Sequence, residues 1–315
     1  MLRLMIVGAG AIANKHLDVI SEIEELSVTS VVSRTAASAK KLAEQYSIET
    51  YGSNLDSVVA RGAPDAILIM VSPDAMFQVG RAALEYGVPV FFEKPPALSL
   101  AEACELADIA SRNQIKTMVG LNRRFYSIFR DGVRILEDAG GIHGIAIEGH
   151  ERFWKLSAAL RSPVRERWLF ANSIHTIDLL RFFGGEIRSC KSFVHSVSEK
   201  TGDQFVMAIE FESGQLGSYM SFWHSPGGWQ VRLFGNELTA RFEPLERGEV
   251  INRNFETVEL QPSAEDQKFK PGFFAQMMAF KAMVVDGTLR SPGQSLEDSL
   301  KTMEICDSLS RSEWR

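Results

Sequence analysis

The sequence opens with LRLMIVGAGAIA at residues 2–13, an apolar run that ends in a glycine-rich turn. Leu2 to Val7 are predicted to form a buried strand, because apolar residues follow one another there without alternation. Residues 8–13 form a G-x-G-x-x-A pattern, and a helical pattern follows it. A strand, a tight glycine turn and a helix in this order predict the first unit of a parallel sheet wound with helices.

The alternation of strand and helix continues to about residue 120. Buried apolar runs predict strands, and apolar residues at three- and four-residue spacing predict the helices between them. The predicted strands cover 28–32, 66–71, 88–92 and 117–120, and the predicted helices cover 36–46, 76–86 and 100–113. We therefore expect an α/β fold whose first domain, residues 1–121, is a doubly wound Rossmann domain.

After residue 122 the pattern changes to longer, alternating or aromatic runs separated by turns. Such runs predict a large, mostly antiparallel open sheet with one face buried. The predicted strands lie within 142–152, 187–195, 204–211, 216–223, 230–234 and 240–242, and helices are predicted at 173–183, 273–285 and 295–310. We expect an α+β domain over 122–315, whose last helix could pack back on the first domain.

Composition and charge exclude several classes of protein. The chain has 315 residues, of which 45% are hydrophobic and 23% charged, and its formal charge of −6 argues against a nucleic-acid partner. Cys104, Cys190 and Cys306 lie far apart, so they indicate neither a zinc site nor a disulfide framework. No window reaches the ~20 apolar residues of a membrane helix. We expect a cytoplasmic protein without a metal site.

The glycine-rich turn is a candidate dinucleotide site. Gly8 would permit the tight turn, Gly10 the close approach of a pyrophosphate, and Ala13 the close packing of helix on strand. The phosphates would bind to backbone N–H groups at the helix N-terminus, where Ala11 and Ile12 lie. A purely structural turn is the alternative, since glycine-rich turns are common.

The end of the second strand bears on the choice of cofactor. An NAD site usually offers a carboxylate there, but this sequence has Ser33, Arg34 and Thr35. Arg34 could bind a 2′-phosphate with help from the neighbouring hydroxyls, so we expect NADP in preference to NAD. Alternatively, Arg34 is a solvated charge that stacks on adenine, and NAD is then possible as well.

A lysine follows another predicted strand, 88–92, at the sheet edge where ligands bind in open α/β folds. Glu93, Lys94 and Pro95 stand there. We expect Lys94 to face a bound nicotinamide and to carry a proton. The alternative is an ordinary solvated loop lysine.

Taken together, these residues resemble the Gfo/Idh/MocA family of nicotinamide-dependent oxidoreductases, which includes glucose-fructose oxidoreductase and inositol dehydrogenases. The resemblance covers essentially the whole chain. It is carried by residues 8–13 with His16, by Ser72 and Pro73, by residues 93–95, by residues 122–125, and by residues 175–180 with Gly184.

The resemblance implies hydride transfer to or from a carbinol carbon of a sugar, cyclitol or sugar derivative. It implies that Lys94 is the catalytic lysine and His175 the histidine of the substrate site. It also indicates a C-terminal sheet that forms homodimers or homotetramers. We add Ser72, Pro73 and Glu93 to the expected cofactor site and Arg123 to the expected substrate site.

The sequence departs from the family pattern at two positions. Family members commonly have an aspartate four residues before the histidine, where this chain has Ala171, and Phe77 replaces a frequent histidine. Asn172 could hold a substrate hydroxyl, and His175 could act as the acid itself. Two alternatives therefore stay open: a non-catalytic NAD(P)-binding regulatory module, and an enzyme that recycles bound NAD(P) in elimination or epimerisation.

A basic, aromatic segment precedes His175 and indicates an anionic substrate. We expect Arg165, Arg167 and Trp168 to bind it through charge-assisted hydrogen bonds and stacking. A solvated loop or an oligomer contact is the alternative. Trp229 is expected to pack between sheets or subunits rather than to bind ligand. The basic residues of the segment are Arg152, Lys155, Arg161, Arg165 and Arg167.

Overall fold

A computed structural model describes residues 1–156, residue 160 and residues 162–311. The chain forms two compact units. The first unit comprises Met1–Asn122 and Lys268–Leu300, and the second comprises Arg123–Gln267 and the described residues from Lys301 onward. A domain boundary between residues 121 and 122 stays a prediction.

The first unit contains a six-stranded sheet in which every neighbouring pair is parallel. Its strand order, β3-β2-β1-β4-β5-β6, reverses direction between β1 and β4, as in a Rossmann fold. The predicted doubly wound sheet is thus confirmed. The strands are β1 Leu2–Val7, β2 Leu26–Val32, β3 Thr50–Gly52, β4 Ala66–Ile69, β5 Val90–Glu93 and β6 Thr117–Gly120.

Helices connect these strands, and side-chain caps fix where several of them begin. Asn54 accepts a hydrogen bond from Ser57 N at 2.8 Å, and Ser99 accepts one from Glu102 N at 3.3 Å. By contrast, the first helix begins after Gly10 without a side-chain cap. The helices are α1 Ala11–Ile20, α2 Ala36–Tyr46, α3 Leu55–Gly62, α4 Pro73–Leu84 and α5 Leu100–Arg112.

The second unit contains an eight-stranded sheet of order β14-β13-β12-β11-β7-β10-β9-β8. All neighbours are antiparallel except β7 and β10. This confirms the predicted mostly antiparallel sheet. The strands are β7 Ile142–Gly149, β8 Ile187–His195, β9 Gln204–Phe211, β10 Leu216–Phe222, β11 Trp229–Gly235, β12 Leu238–Phe242, β13 Gly248–Asn252 and β14 Thr257–Leu260.

Alternation along β9 shows why one face of this sheet is buried. Phe205, Met207 and Ile209 are buried, whereas Val206 between them is 40% exposed. Side chains of a strand point alternately to opposite faces, so the apolar alternation selects the core face.

The remaining helices are α6 Ser127–Asp138, α7 Ser162–Glu166, α8 Ile174–Gly184, α9 Ala264–Lys268, α10 Phe273–Asp286 and α11 Leu296–Arg311.

Helix α8 is held in the core of the second unit by a buried ion pair. Arg124 donates two hydrogen bonds to the Asp178 carboxylate, at 2.6 and 2.8 Å, and Thr302 donates a third at 3.0 Å. These contacts fix the helix that carries His175. None of the described helices combines the length and apolar character needed to cross a membrane.

Candidate active site

The glycine-rich turn lies where β1 ends in the first unit. Gly8 has a φ of 118°, and a Cβ there would collide with the backbone carbonyl of Met70. The turn is therefore closed against the end of β4, and only glycine fits without strain. Gly8 N also donates to Val32 O at 2.7 Å, which ties the turn to β2.

The turn leaves open space beside Gly10. A Cβ at this residue would meet no atom within 4 Å, and Gly10 is the uncapped residue before α1. The first N–H groups of α1, around Ala11 and Ile12, are thus available to an anion. Ala13 is fully buried and packs the helix closely on the sheet. This cradle fits a pyrophosphate.

The loop after β2 is suited to a second anionic group. Arg34 is exposed, and its guanidinium has no hydrogen-bond partner in the described part of the chain. Ser33 is half-buried beside it. Thr35 caps α2 through Ser38 N at 3.2 Å, so its hydroxyl serves the helix. A guanidinium next to a helix N-terminus favours a phosphate.

Lys94 follows the end of β5, anchored through a buried carboxylate. Glu93 is 6% exposed and accepts hydrogen bonds from His16 Nε2 at 3.0 Å and from Lys94 N at 2.9 Å. Burial raises the pKa of Glu93, but the hydrogen bond from His16 and nearby positive charges outweigh burial and hold this pKa below its ordinary value. The anchored carboxylate fixes the backbone from which the half-buried Lys94 side chain projects.

Ser72 and Pro73 lie at the neighbouring strand end. Ser72 is exposed and lies in the short loop after β4, and Pro73 is the first residue of α4. The carboxyl ends of β1, β4 and β5 therefore carry the glycine turn, Ser72 and Lys94 on adjacent strands of one sheet. The reversal of strand order at this edge is the usual place for a bound dinucleotide.

His175 lies near the start of α8 in the second unit. Arg123 Nη1 donates to His175 Nε2 over 3.1 Å, and a guanidinium cannot accept, so Nε2 is the acceptor nitrogen of this ring. The Arg123 guanidinium also lies over the Trp229 ring, 5.3 Å from its centroid, and the His175 ring centroid is 5.9 Å from that of Trp229. Two predicted substrate residues thus form one cluster with Trp229, which the sequence analysis assigned to packing.

A cavity of about 510 Å³ lies in the second unit and combines polar groups with two indole rings. Trp168 and Asn172, both predicted substrate residues, line it. Arg152 and Lys155, which belong to the basic segment predicted to hold an anionic substrate, also line it. The remaining lining residues were not predicted as substrate contacts. They are His150, Glu151, Leu156, Gly228, Trp229, Pro244, Leu245 and Glu246.

Arg165 and Arg167 are not among the residues that line this cavity. Arg165 lies over the Phe153 ring, 4.3 Å from its centroid, and forms a 2.8 Å ion pair with Glu199. Arg167 is exposed. Arg161 lies outside the described residues. Of the basic segment, Arg152 and Lys155 supply the positive charge on the cavity wall.

Glu151 is the residue that sequence reasoning missed. It is 4% exposed and accepts hydrogen bonds from Asn172 Nδ2 and Ser173 Oγ, each at 2.8 Å. Asn172 and Ser173 lie in a five-residue π-helix, Leu169–Ser173, immediately before α8. Such turns are frequent at functional sites. In the sequence, Glu151 stands directly before the basic segment and belongs to no motif of its own.

The first unit has the strand order, glycine turn and anion-binding helix end of a nucleotide-binding Rossmann domain, the class found in many oxidoreductases. The chain belongs to the Gfo/Idh/MocA oxidoreductase family. The family model described as oxidoreductase family, NAD-binding Rossmann fold, matches residues 2–121, and the model of the family's C-terminal domain matches residues 148–241. The protein is thus an NAD(P)-dependent oxidoreductase from a family of the sugar and cyclitol dehydrogenase type.

Known proteins match along most of the chain. The scyllo-inositol 2-dehydrogenase (NADP⁺) IolU of Bacillus subtilis is 22% identical over 98% of this chain and 95% of its own. The 4-carboxy-2-hydroxymuconate-6-semialdehyde dehydrogenase of Sphingobium is 24% identical over 79% and 84%. The structure of levoglucosan dehydrogenase with NADH and L-sorbose aligns with a TM-score of 0.83 at 17% identity, covering 99% and 96%. This last likeness shows the shared fold.

Proposed function

We propose that the protein transfers a hydride between NADP(H) and a carbinol carbon of a sugar, cyclitol or anionic sugar derivative. The observation that carries the proposal is the cavity of the second unit. It offers a carboxylate, an amide, basic side chains and two indoles, a combination suited to a polyhydroxylated ring. The names of the inositol and muconate-semialdehyde relatives support neutral and anionic substrates, respectively.

The proposed mechanism assigns a role to each residue predicted for the cofactor and for the substrate. Gly8 and Gly10 would let a pyrophosphate approach the N-terminus of α1, Ala13 packs that helix on the sheet, and a bound nicotinamide would accept or donate the hydride. Lys94 Nζ takes up the proton of the substrate hydroxyl as a carbonyl forms, and it returns that proton in the reverse direction. His175 holds the substrate hydroxyl or shares its proton.

Replacing Arg34 with alanine should weaken NADPH binding by about 10-fold, because a charge-assisted phosphate contact is lost. NADH affinity should change little, since NADH has no 2′-phosphate. Fluorescence titration of both nucleotides measures the two affinities. Arg112→Ala, which removes an exposed arginine from the end of α5, is the matched control. Equal losses for NADPH and NADH would contradict the NADP preference.

We also propose that the open face of the eight-stranded sheet forms a homodimer or homotetramer. Phe193, Val206, Leu216 and Phe234 lie on this face, and each is at least 40% exposed. Exposed large apolar side chains on one open sheet face are typical of interaction surfaces. Light scattering should give the mass of a dimer or tetramer. A monomer at micromolar concentration would contradict the proposal.

The proposed activity is tested with purified protein and NADPH, whose fluorescence reports both binding and consumption. Keto-sugars, sugar acids and cyclitol ketones are supplied as substrates, and the alcohols are supplied with NADP⁺ for the reverse direction. We expect consumption with at least one polyhydroxylated substrate. Tight nucleotide binding without consumption in either direction would instead favour a binding module or an enzyme that recycles its cofactor.

A further inference from the structure

Glu151 and Asn172 line the cavity of the second unit and form a hydrogen-bonded group with the buried Ser173 behind them. Both Glu151 oxygens are used, one by the Asn172 amide and one by the Ser173 hydroxyl, at 2.8 Å each. Glu151 and Ser173 are buried, whereas Asn172 is half-buried. A carboxylate removed from water requires such hydrogen bonds. The group is therefore a built feature of the wall.

The carboxylate determines which way the Asn172 amide points. A carboxylate oxygen only accepts hydrogen bonds, so the amide must turn Nδ2 toward Glu151 and Oδ1 away from it. The reverse orientation would bring two acceptor oxygens together. Within the described residues, Asn172 Oδ1 receives no hydrogen bond, and Asn172 lines the cavity. The oxygen is thus an acceptor that a ligand can use.

The local backbone explains why two consecutive side chains reach one carboxylate. Asn172 and Ser173 close the π-helix before α8, and Ala171 precedes them in the same turn. Ala171 offers no proton-transfer group. Glu151, which follows β7, instead brings a carboxylate to this wall from another part of the chain.

We propose that Glu151 is a positioning residue that holds Asn172 Oδ1 toward the cavity and thereby selects substrates with a free hydroxyl at that point. The inference rests on the proposed function, because it names a specificity determinant of the same reaction. A carboxylate or phosphate in that place would face the amide oxygen and Glu151, and it would be rejected. Anionic groups of a substrate are accommodated instead beside Arg152 and Lys155.

A swap of the two side-chain types tests this arrangement. Asn172→Asp alone places a second carboxylate against Glu151 and should lower kcat/KM for the best substrate by about 20-fold, mainly through KM. Adding Glu151→Gln reverses the hydrogen bond, because the new amide donates to the new carboxylate. The double variant again presents an acceptor oxygen to the cavity. It should recover to within about threefold of the wild type.

Glu256→Gln is the matched control. Glu256 also accepts a hydrogen bond from an asparagine amide, Asn252 Nδ2 at 2.8 Å, but it lies between β13 and β14 outside the cavity lining. This variant should keep wild-type kinetics, and NADPH affinity should be unchanged in all four proteins. A purely structural role of Glu151 would predict that the double variant is worse than Asn172→Asp alone.

A second test varies the substrate and begins with the wild-type protein. Among monodeoxy analogues of the best substrate, we expect one whose kcat/KM with the wild-type protein is lower by ~100-fold or more. A loss of this size is expected because the polar groups of the site lose their hydrogen-bond partner. Asn172→Ala should remove most of that discrimination.

The outcomes separate the two proposals. A wild type that turns over no polyhydroxylated substrate overturns the proposed function, and this inference falls with it. An active wild type whose double variant does not recover, or whose discrimination survives Asn172→Ala, overturns this inference alone.

Discussion

Replacing Lys94 with alanine should reduce turnover of the best substrate by ~100-fold or more, the effect expected when a general acid and base is removed. Lys94 follows β5, and its backbone is anchored by the buried Glu93. The change removes only the side chain beyond this anchor. NADPH affinity should therefore stay within about threefold of wild type, because the cradle at Gly8 and Gly10 is untouched. Strongly reduced turnover with retained NADPH binding is the expected result.

Two further variants sharpen this prediction. Lys94→Arg keeps a positive charge but cannot release a proton near neutral pH, so it should be nearly as slow as the alanine variant. Lys116→Ala removes an exposed lysine just before β6 and should be as active as the wild type. If Lys94→Ala turned over substrate at the wild-type rate, the assignment of Lys94 as proton carrier would be wrong.

The two glycines of the turn should respond to alanine in opposite ways. At Gly8, whose φ is 118°, the new methyl group would collide with the Met70 carbonyl. We expect the free energy of unfolding to fall by roughly 3 kcal/mol and Tm to fall by roughly 10 °C. At Gly10, nothing lies within 4 Å of the added atom. Stability should be kept, while NADPH affinity should fall by ~10-fold or more because the methyl group occupies the path of the pyrophosphate.

Differential scanning fluorimetry and NADPH titration measure both effects on the same samples. The Gly8 and Gly10 variants are controls for each other, since each adds one methyl group to the same turn. A Gly10→Ala protein with unchanged Tm and unchanged NADPH affinity would show that no pyrophosphate binds there. A stable Gly8→Ala protein would show that the turn is not closed against β4.

The first unit could be predicted in detail because its signals are local. The strand, glycine turn and helix of residues 2–20 are contiguous, and the caps and strand ends follow from short patterns. Weak elements were not predicted. Strand β3 has three residues and β14 is mostly exposed, so neither has a strong apolar pattern. Helix α6 does carry buried apolar residues at helical spacing, Ile128, Phe129 and Leu136, and the sequence analysis did not use that signal.

The substrate cavity could be predicted only in part. Its lining comes from the end of β7, the π-helix, the start of β11 and residues 244–246, which are distant in sequence. Periodicity carries no information about such convergence. For example, the sequence analysis predicts that Arg165 binds the substrate, whereas in the structure Arg165 forms an ion pair with Glu199. Only the fold shows that Glu151 and Trp229 line the cavity.

The central claim is hydride transfer by this chain. Its most direct test is to supply NADPH deuterated on the transferable position of the nicotinamide ring together with the best ketone substrate, and to locate the label by mass spectrometry and NMR. We predict that the new carbinol carbon carries the deuterium and that Lys94→Ala forms little of this product. Unlabelled product formed without net consumption of NADPH, or no product at all, would contradict the account.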